Sequence, residues 1–105
     1  MVLGQSDFTS GSAPTGITST SLAMPYSVAI SSTQLFISDR TDLRLLGYNA
    51  LPTANGAAAA FAVGQAYLTS SVGGVAANQF NGNMGVFISG TKLLLADEVN
   101  HHLER

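Results

Sequence analysis

Leu35-Phe36-Ile37-Ser38-Asp39-Arg40-Thr41-Asp42-Leu43-Arg44-Leu45-Leu46-Gly47-Tyr48 decides the fold of this chain. A short, mainly apolar run ends in aspartate, a polar stretch follows, and arginine opens a second apolar run. Short apolar runs bounded by turn residues read as strands, because amphipathic helices need longer segments with helical periodicity. The stretch therefore predicts two antiparallel strands, over 35–38 and 44–48, joined by a turn at Asp39-Arg40-Thr41-Asp42. A run that is apolar at successive positions predicts a strand covered on both faces. Working outward, Met24-Pro25 leads into Tyr26, Val28 and Ile30, whose alternation predicts another strand with those three on one face. Ser31-Ser32-Thr33-Gln34 is the polar hairpin between them.

The same pattern occurs a second time. Gly4-Gln5 returns as Gly64-Gln65. Val28-Ala29-Ile30 and Leu35-Phe36-Ile37-Ser38-Asp39 return, at one constant offset, as Val86-Phe87-Ile88 and Leu93-Leu94-Leu95-Ala96-Asp97. Asn100-His101-His102-Leu103 then stands where the first copy has Asp42-Leu43-Arg44-Leu45. Ser89-Gly90-Thr91-Lys92 is the second hairpin and Asp97-Glu98-Val99-Asn100 the second turn. A fixed period with strand-like content predicts an array of similar β units, and such units rarely stand alone. The chain reads as one domain, 1–105, with a first repeat at 2–49, a connection at 50–61 and a second repeat at 62–105. Val2-Leu3-Gly4 predicts a short edge strand, and the Ser-, Thr-, Gly- and Pro-rich segment 6–21 predicts a loop. Ala57 to Ala60 reads as an extended connection in preference to one helical turn, since so short a helix is marginal without packing.

The Leu35–Asp39 run, its polar turn and the Arg44-led run resemble the NHL-repeat signature of a β-propeller blade. Val2-Leu3-Gly4-Gln5-Ser6-Asp7-Phe8 and Pro25-Tyr26-Ser27-Val28-Ala29-Ile30 are similar to the other strands of that family's blades. The second copy departs from the pattern: Asn83-Met84-Gly85-Val86 lacks the proline, and His102 replaces the arginine. The resemblance implies an all-β fold of two β-propeller-like blades of antiparallel strands. Its strand count is an outer strand, three strands, an outer strand and three more, with the first blade's outer strand displaced to the N-terminus. Two blades cannot close a ring, and open arrays leave strand edges bare. Completion by homo-oligomerisation is therefore expected, a trimer giving six blades. Val2 and Leu3 of one subunit would lie beside Leu103 and Arg105 of the next at the seam, a heterologous contact. A domain-swapped or face-to-face dimer is the alternative.

Composition limits function. Hydrophobic residues make up 46% of the 105 positions and charged residues only 10%, against roughly 25% charged in an average domain. A surface so poor in charge fits burial against another copy. A net charge of −2 and four scattered basic residues exclude the clustered Lys and Arg that nucleic acid requires. The absence of cysteine excludes disulfides and zinc–thiolate sites. The longest apolar run, Ala57 to Val63, is too short to cross a bilayer, so no membrane partner is expected. The N-terminus lacks a basic n-region and an apolar h-region, which makes the cytoplasm the default compartment. A piece cut from a secreted parent reads the same way.

The candidate ligand-binding residues are His101, His102, Arg44 and Asp42. Adjacent strand residues point to opposite faces, so His101 and His102 cannot chelate one metal together; the functional reading is a symmetry-multiplied histidine ring titrating near neutrality. Asp42 and Arg44 predict a local ion pair worth little if exposed. Asp39 and Asp97 predict carboxylates that accept turn amides. No Gly-x-Ser-x-Gly elbow, nucleophilic cysteine or phosphate loop is present, and neither a cofactor nor a metal site is expected. Two functional classes follow. One is a non-catalytic binding or scaffold module, using loops 9–23 and 69–83 to contact another protein or a small ligand. The alternative is a metal-dependent hydrolase or lyase whose site forms on the assembled axis.

Overall fold

The computed structural model describes residues 1–65, 68, 84–97 and 102–104. Among them the protein is all-β, with seven strands in two antiparallel sheets and no helix. The first sheet runs β1 (Pro25–Ile30), β2 (Leu35–Asp39), β3 (Arg44–Tyr48) and β4 (Phe61–Val63) in consecutive order. The second runs β5 (Met84–Ser89), β6 (Lys92–Asp97) and β7 (His102–Glu104). Within each sheet every strand pairs with the next in sequence.

Local chemistry sets each turn. The Ser31 amide donates to the Gln34 carbonyl (2.9 Å), and its hydroxyl accepts the amides of Thr33 (3.3 Å) and Gln34 (3.0 Å). This serine closes the β1–β2 hairpin from both its backbone and its side chain. In the β5–β6 hairpin, Ser89 faces Lys92 across a tight turn made by Gly90 and Thr91, and Gly90 adopts φ 61°. Such turns favour a left-handed residue, which glycine adopts without steric cost.

The pairing registers repeat. Val28, Ala29 and Ile30 face Ile37, Phe36 and Leu35. Val86, Phe87 and Ile88 face Leu95, Leu94 and Leu93, the same six positions of the second copy. Asp39–Arg44 and Ser38–Leu45 recur in the same way as Asp97–His102 and Ala96–Leu103. Gly4 and Gly64 share a left-handed backbone as well, at φ 86° and 91°. The three strands that the two copies have in common therefore pair alike.

Alternation along the strands divides the core into two layers. Leu35, Ile37, Leu46 and Tyr48 point to one side, where Ala59 joins them and Leu3, Leu22, Ala62 and Leu68 pack over them. Phe36 and Leu45 point to the other, where they meet Leu95 with Phe61, Val63, Val86, Ile88 and Leu93. The second sheet thus stacks on the Phe36 side of the first. Every residue of β2 and β3 is buried, which explains their unbroken apolar runs. Gly47 is the gap in the run: its partner across the ladder is Phe61, and an added Cβ would fall within that ring. The ring packs edge-on to Phe36, with centroids 6.1 Å apart, so the aromatic fills the place a side chain would take.

Two expectations change. Val2–Gly4 is not a strand; the Val2 amide donates to Asn55 Oδ1 and its carbonyl accepts the Gly56 amide, both at 2.9 Å. The first sheet takes its fourth strand from β4, so no strand displaced to the N-terminus is needed, and the repeat boundary at 61/62 falls inside a strand of the first sheet. After residues 49–60 the chain returns antiparallel beside β3, whereas Val2 is held by the 55–56 turn. Tyr26, Val28 and Ile30 share a side, as expected, and that side is exposed. Ala57 to Ala60 is extended, as expected, with Ala59 and Ala60 donating to the carbonyls of Ser19 (2.8 Å) and Gly47 (2.8 Å).

Candidate functional site

Arg44 opens β3 opposite Asp39, at the end of the first sheet where three loops converge. Its side chain is fully buried. Nη2 donates to the Ser21 carbonyl at 2.9 Å, and Nη1 to the Leu68 carbonyl. Nη2 also lies 3.7 Å from Asp39 Oδ2 and 3.6 Å from Asp42 Oδ2. Asp39 in turn accepts the amides of Ala23 (3.0 Å) and Met24 (2.9 Å). The expected amide acceptor is thus present, but the amides come from the loop before β1 and not from its own turn. The Asp42–Arg44 pair is likewise not an exposed pair: it is enclosed, with a second carboxylate beside it.

The electrostatics of this cluster are uneven. Burial, then the neighbouring Asp39 carboxylate, pushes Asp42 above its ordinary range, and Arg44 only partly opposes them. Asp42 Oδ2 and Arg44 Nε have no hydrogen-bond partner among the described residues. Leu43 between them holds φ 51°, an uncommon conformation for a branched apolar residue. Its carbonyl accepts Gln65 Nε2 at 2.8 Å, and its amide donates to the Arg40 carbonyl at 3.3 Å. The arrangement ties loops together. It offers the guanidinium to the chain's own carbonyls and not to a ligand in solvent.

A second feature is polar and open. Gly4, Gln5, Ser6, Thr20, Ser21, Asn55 and Gly56 line a depression of about 320 Å³ at the N-terminal loop. Beyond it, Asp7 Oδ1 accepts the amides and hydroxyls of Thr9 and Ser10, at 2.7–2.9 Å. These hydrogen bonds, led by the two hydroxyls, hold its carboxyl down at about 2. The third feature is apolar. Leu3, Leu22, Tyr26, Val28 and Ile37 border a groove of about 310 Å³ on the outer side of β1.

The sequence-derived candidates scatter over these features. Arg44 and Asp42 meet in the buried cluster, and Val2 and Leu3 lie against their own chain. His102 and Leu103 stand in β7, opposite Asp97 and Ala96. His101, Arg105, the second turn after Asp97 and the loop 69–83 lie outside the described residues. Among the described residues, no three His, Asp or Glu side chains are grouped to hold a metal, and no helix is long and apolar enough to cross a membrane. Ser21 and Leu68, the partners of Arg44, were not foreseen from sequence. Both bonds use backbone carbonyls, which no residue pattern announces.

No protein-family model matches the chain, and neither a curated protein nor a solved structure matches it.

Proposed function

We propose that this chain is a non-catalytic binding or scaffold module built from two NHL-like, blade-like sheets that assemble with further copies of itself. The observation that supports this reading is the repeated register. Two sheets with the same pairing, made by corresponding residues of the two copies, stack face on face as members of an array. An array of two leaves its ends without neighbours, and further copies supply them. Three chains forming six blades is the favoured closure. The long polar loop 9–23, exposed along most of its length, is the contact surface for another protein or a small ligand. The buried Arg44 cluster holds the root of that loop through Ser21, Ala23 and Met24.

The test is the absolute mass of the purified protein by light scattering, together with its metal content. A multiple of the 10.8 kDa chain without stoichiometric metal is the expected result. Stoichiometric metal that is lost in His102→Ala would instead favour a hydrolase or lyase formed on the assembled axis.

A further inference from the structure

The junction between the two sheets uses one side of each. The first sheet contributes Phe36 and Leu45; the second contributes Val86, Ile88, Leu93 and Leu95. Because the registers repeat, each contributing side has a counterpart on the other sheet. Val28, Ile30, Leu35 and Ile37 are the first sheet's counterparts of Val86, Ile88, Leu93 and Leu95. Leu94 is the second sheet's counterpart of Phe36, and its partner Phe87 stands where the first sheet has Ala29. Strand alternation puts Phe87 and Leu94 on the side facing away from the junction.

Both counterpart sides are left partly bare. Leu3 and Leu22 cover the Leu35–Ile37 half of the first, but Tyr26, Val28 and Ile30 remain 56%, 61% and 64% exposed. Phe87 is 63% exposed on the second. Contiguous apolar surface of this kind marks an interaction site. The two surfaces lie at opposite ends of the stack, and the chain already contains one junction made from their repeat equivalents.

We propose that a second copy of this chain occupies the β1 side, seating its Phe87–Leu94 surface on Tyr26, Val28 and Ile30 as the internal junction seats Phe36 against Val86 and Ile88. This rests on self-assembly and adds the surface through which it happens. The contact is heterologous: each copy has one donor face and one acceptor face, so it extends head to tail and closes where the rotation allows.

Mass measurements on the full chain test it. Wild type is expected to be a multiple of one chain, and Ile30→Asp or Phe87→Asp alone should reduce it to one chain. Mixing the two variants should give a mass of two chains and no more, because one intact donor face then meets one intact acceptor face. Should either charged variant lose its β-sheet circular dichroism, Ile30→Asn and Phe87→Ser carry the same test. Variants that keep the wild-type mass overturn the face while leaving self-assembly standing. A mixture that stays at one chain overturns the head-to-tail pairing. A wild type of one chain overturns self-assembly itself.

Discussion

The first sheet, β1–β4, and the second, β5–β7, share their hairpin register from Ser27 and Gly85 onward, yet they are supported differently. In the first, β2 and β3 are buried throughout, and loop residues Leu3 and Leu22 join the packing. A fully buried arginine there binds carbonyls from two other segments. In the second, Val86, Ile88, Leu93 and Leu95 reach the junction while Phe87 faces solvent. Where Arg44 stands opposite Asp39, the second sheet has His102 opposite Asp97. The difference teaches that register is a local property, written by turn residues and alternation, whereas cover for a sheet's second face must come from elsewhere. The first sheet obtains that cover from its own loops and from the second sheet.

Substitutions that act on one side of this contrast should rank accordingly. Leu46→Asp places a charge where the first sheet is fully buried, and should prevent folding, a loss on the order of 4 kcal/mol or more. Leu94→Asp, at a half-buried position on the outward side of the second sheet, should leave the β-sheet circular dichroism of the single chain largely intact. Equal loss of structure in both would break the comparison. This reverses, for Leu94, the expectation from the strand pattern alone, that Leu94→Asp and Ile37→Asp each prevent folding by burying an unpaired charge in a central strand.

Arg44→Met comes next. It leaves Asp39 and Asp42 enclosed without a counter-charge, and denaturant titration should show a loss of about 3–5 kcal/mol. Gly47→Ala should cost about 1–3 kcal/mol by forcing the Phe61 ring off its site, with part recovered in the Gly47→Ala/Phe61→Leu double variant.

The smallest effect is a pH dependence. Asp42 has its folded pKa raised above the ordinary 3.8, so the native state binds its proton more tightly than the unfolded chain does. Its contribution is fully present below about pH 3.8 and is lost as pH rises through the raised value. Relative to wild type, Asp42→Asn should therefore gain stability as pH rises from about 4 to 7. A difference that is flat with pH, or falls, would contradict the assignment. Asp7 has the opposite sign: its contribution is present above pH 3.8 and disappears as pH falls towards about 2.

Much of this fold was legible beforehand because its signals are local. Leu35–Asp39 and Arg44–Tyr48 carry apolar runs bounded by polar turns, and Ser31 with Gly90 marks the hairpins. What escaped depends on distant partners. Val2–Gly4 has the apolar character of an edge strand, but Asn55 and Gly56 engage its backbone. Phe61 reads as the end of the connection and Ala62-Val63 as the start of a new unit, yet all three pair with Leu45–Gly47 of the unit before. Asp42 and Arg44 were visible as a pair; their enclosure was not, because it depends on Ser21 and Leu68 arriving from other loops.

The central claim is that two repeats form an array completed by more copies of the chain. The absolute mass in solution, measured by light scattering on a sizing column, tests it most directly. Three times the 10.8 kDa chain is the predicted value for a closed ring of six sheets. A single-chain mass over a wide concentration range would contradict it.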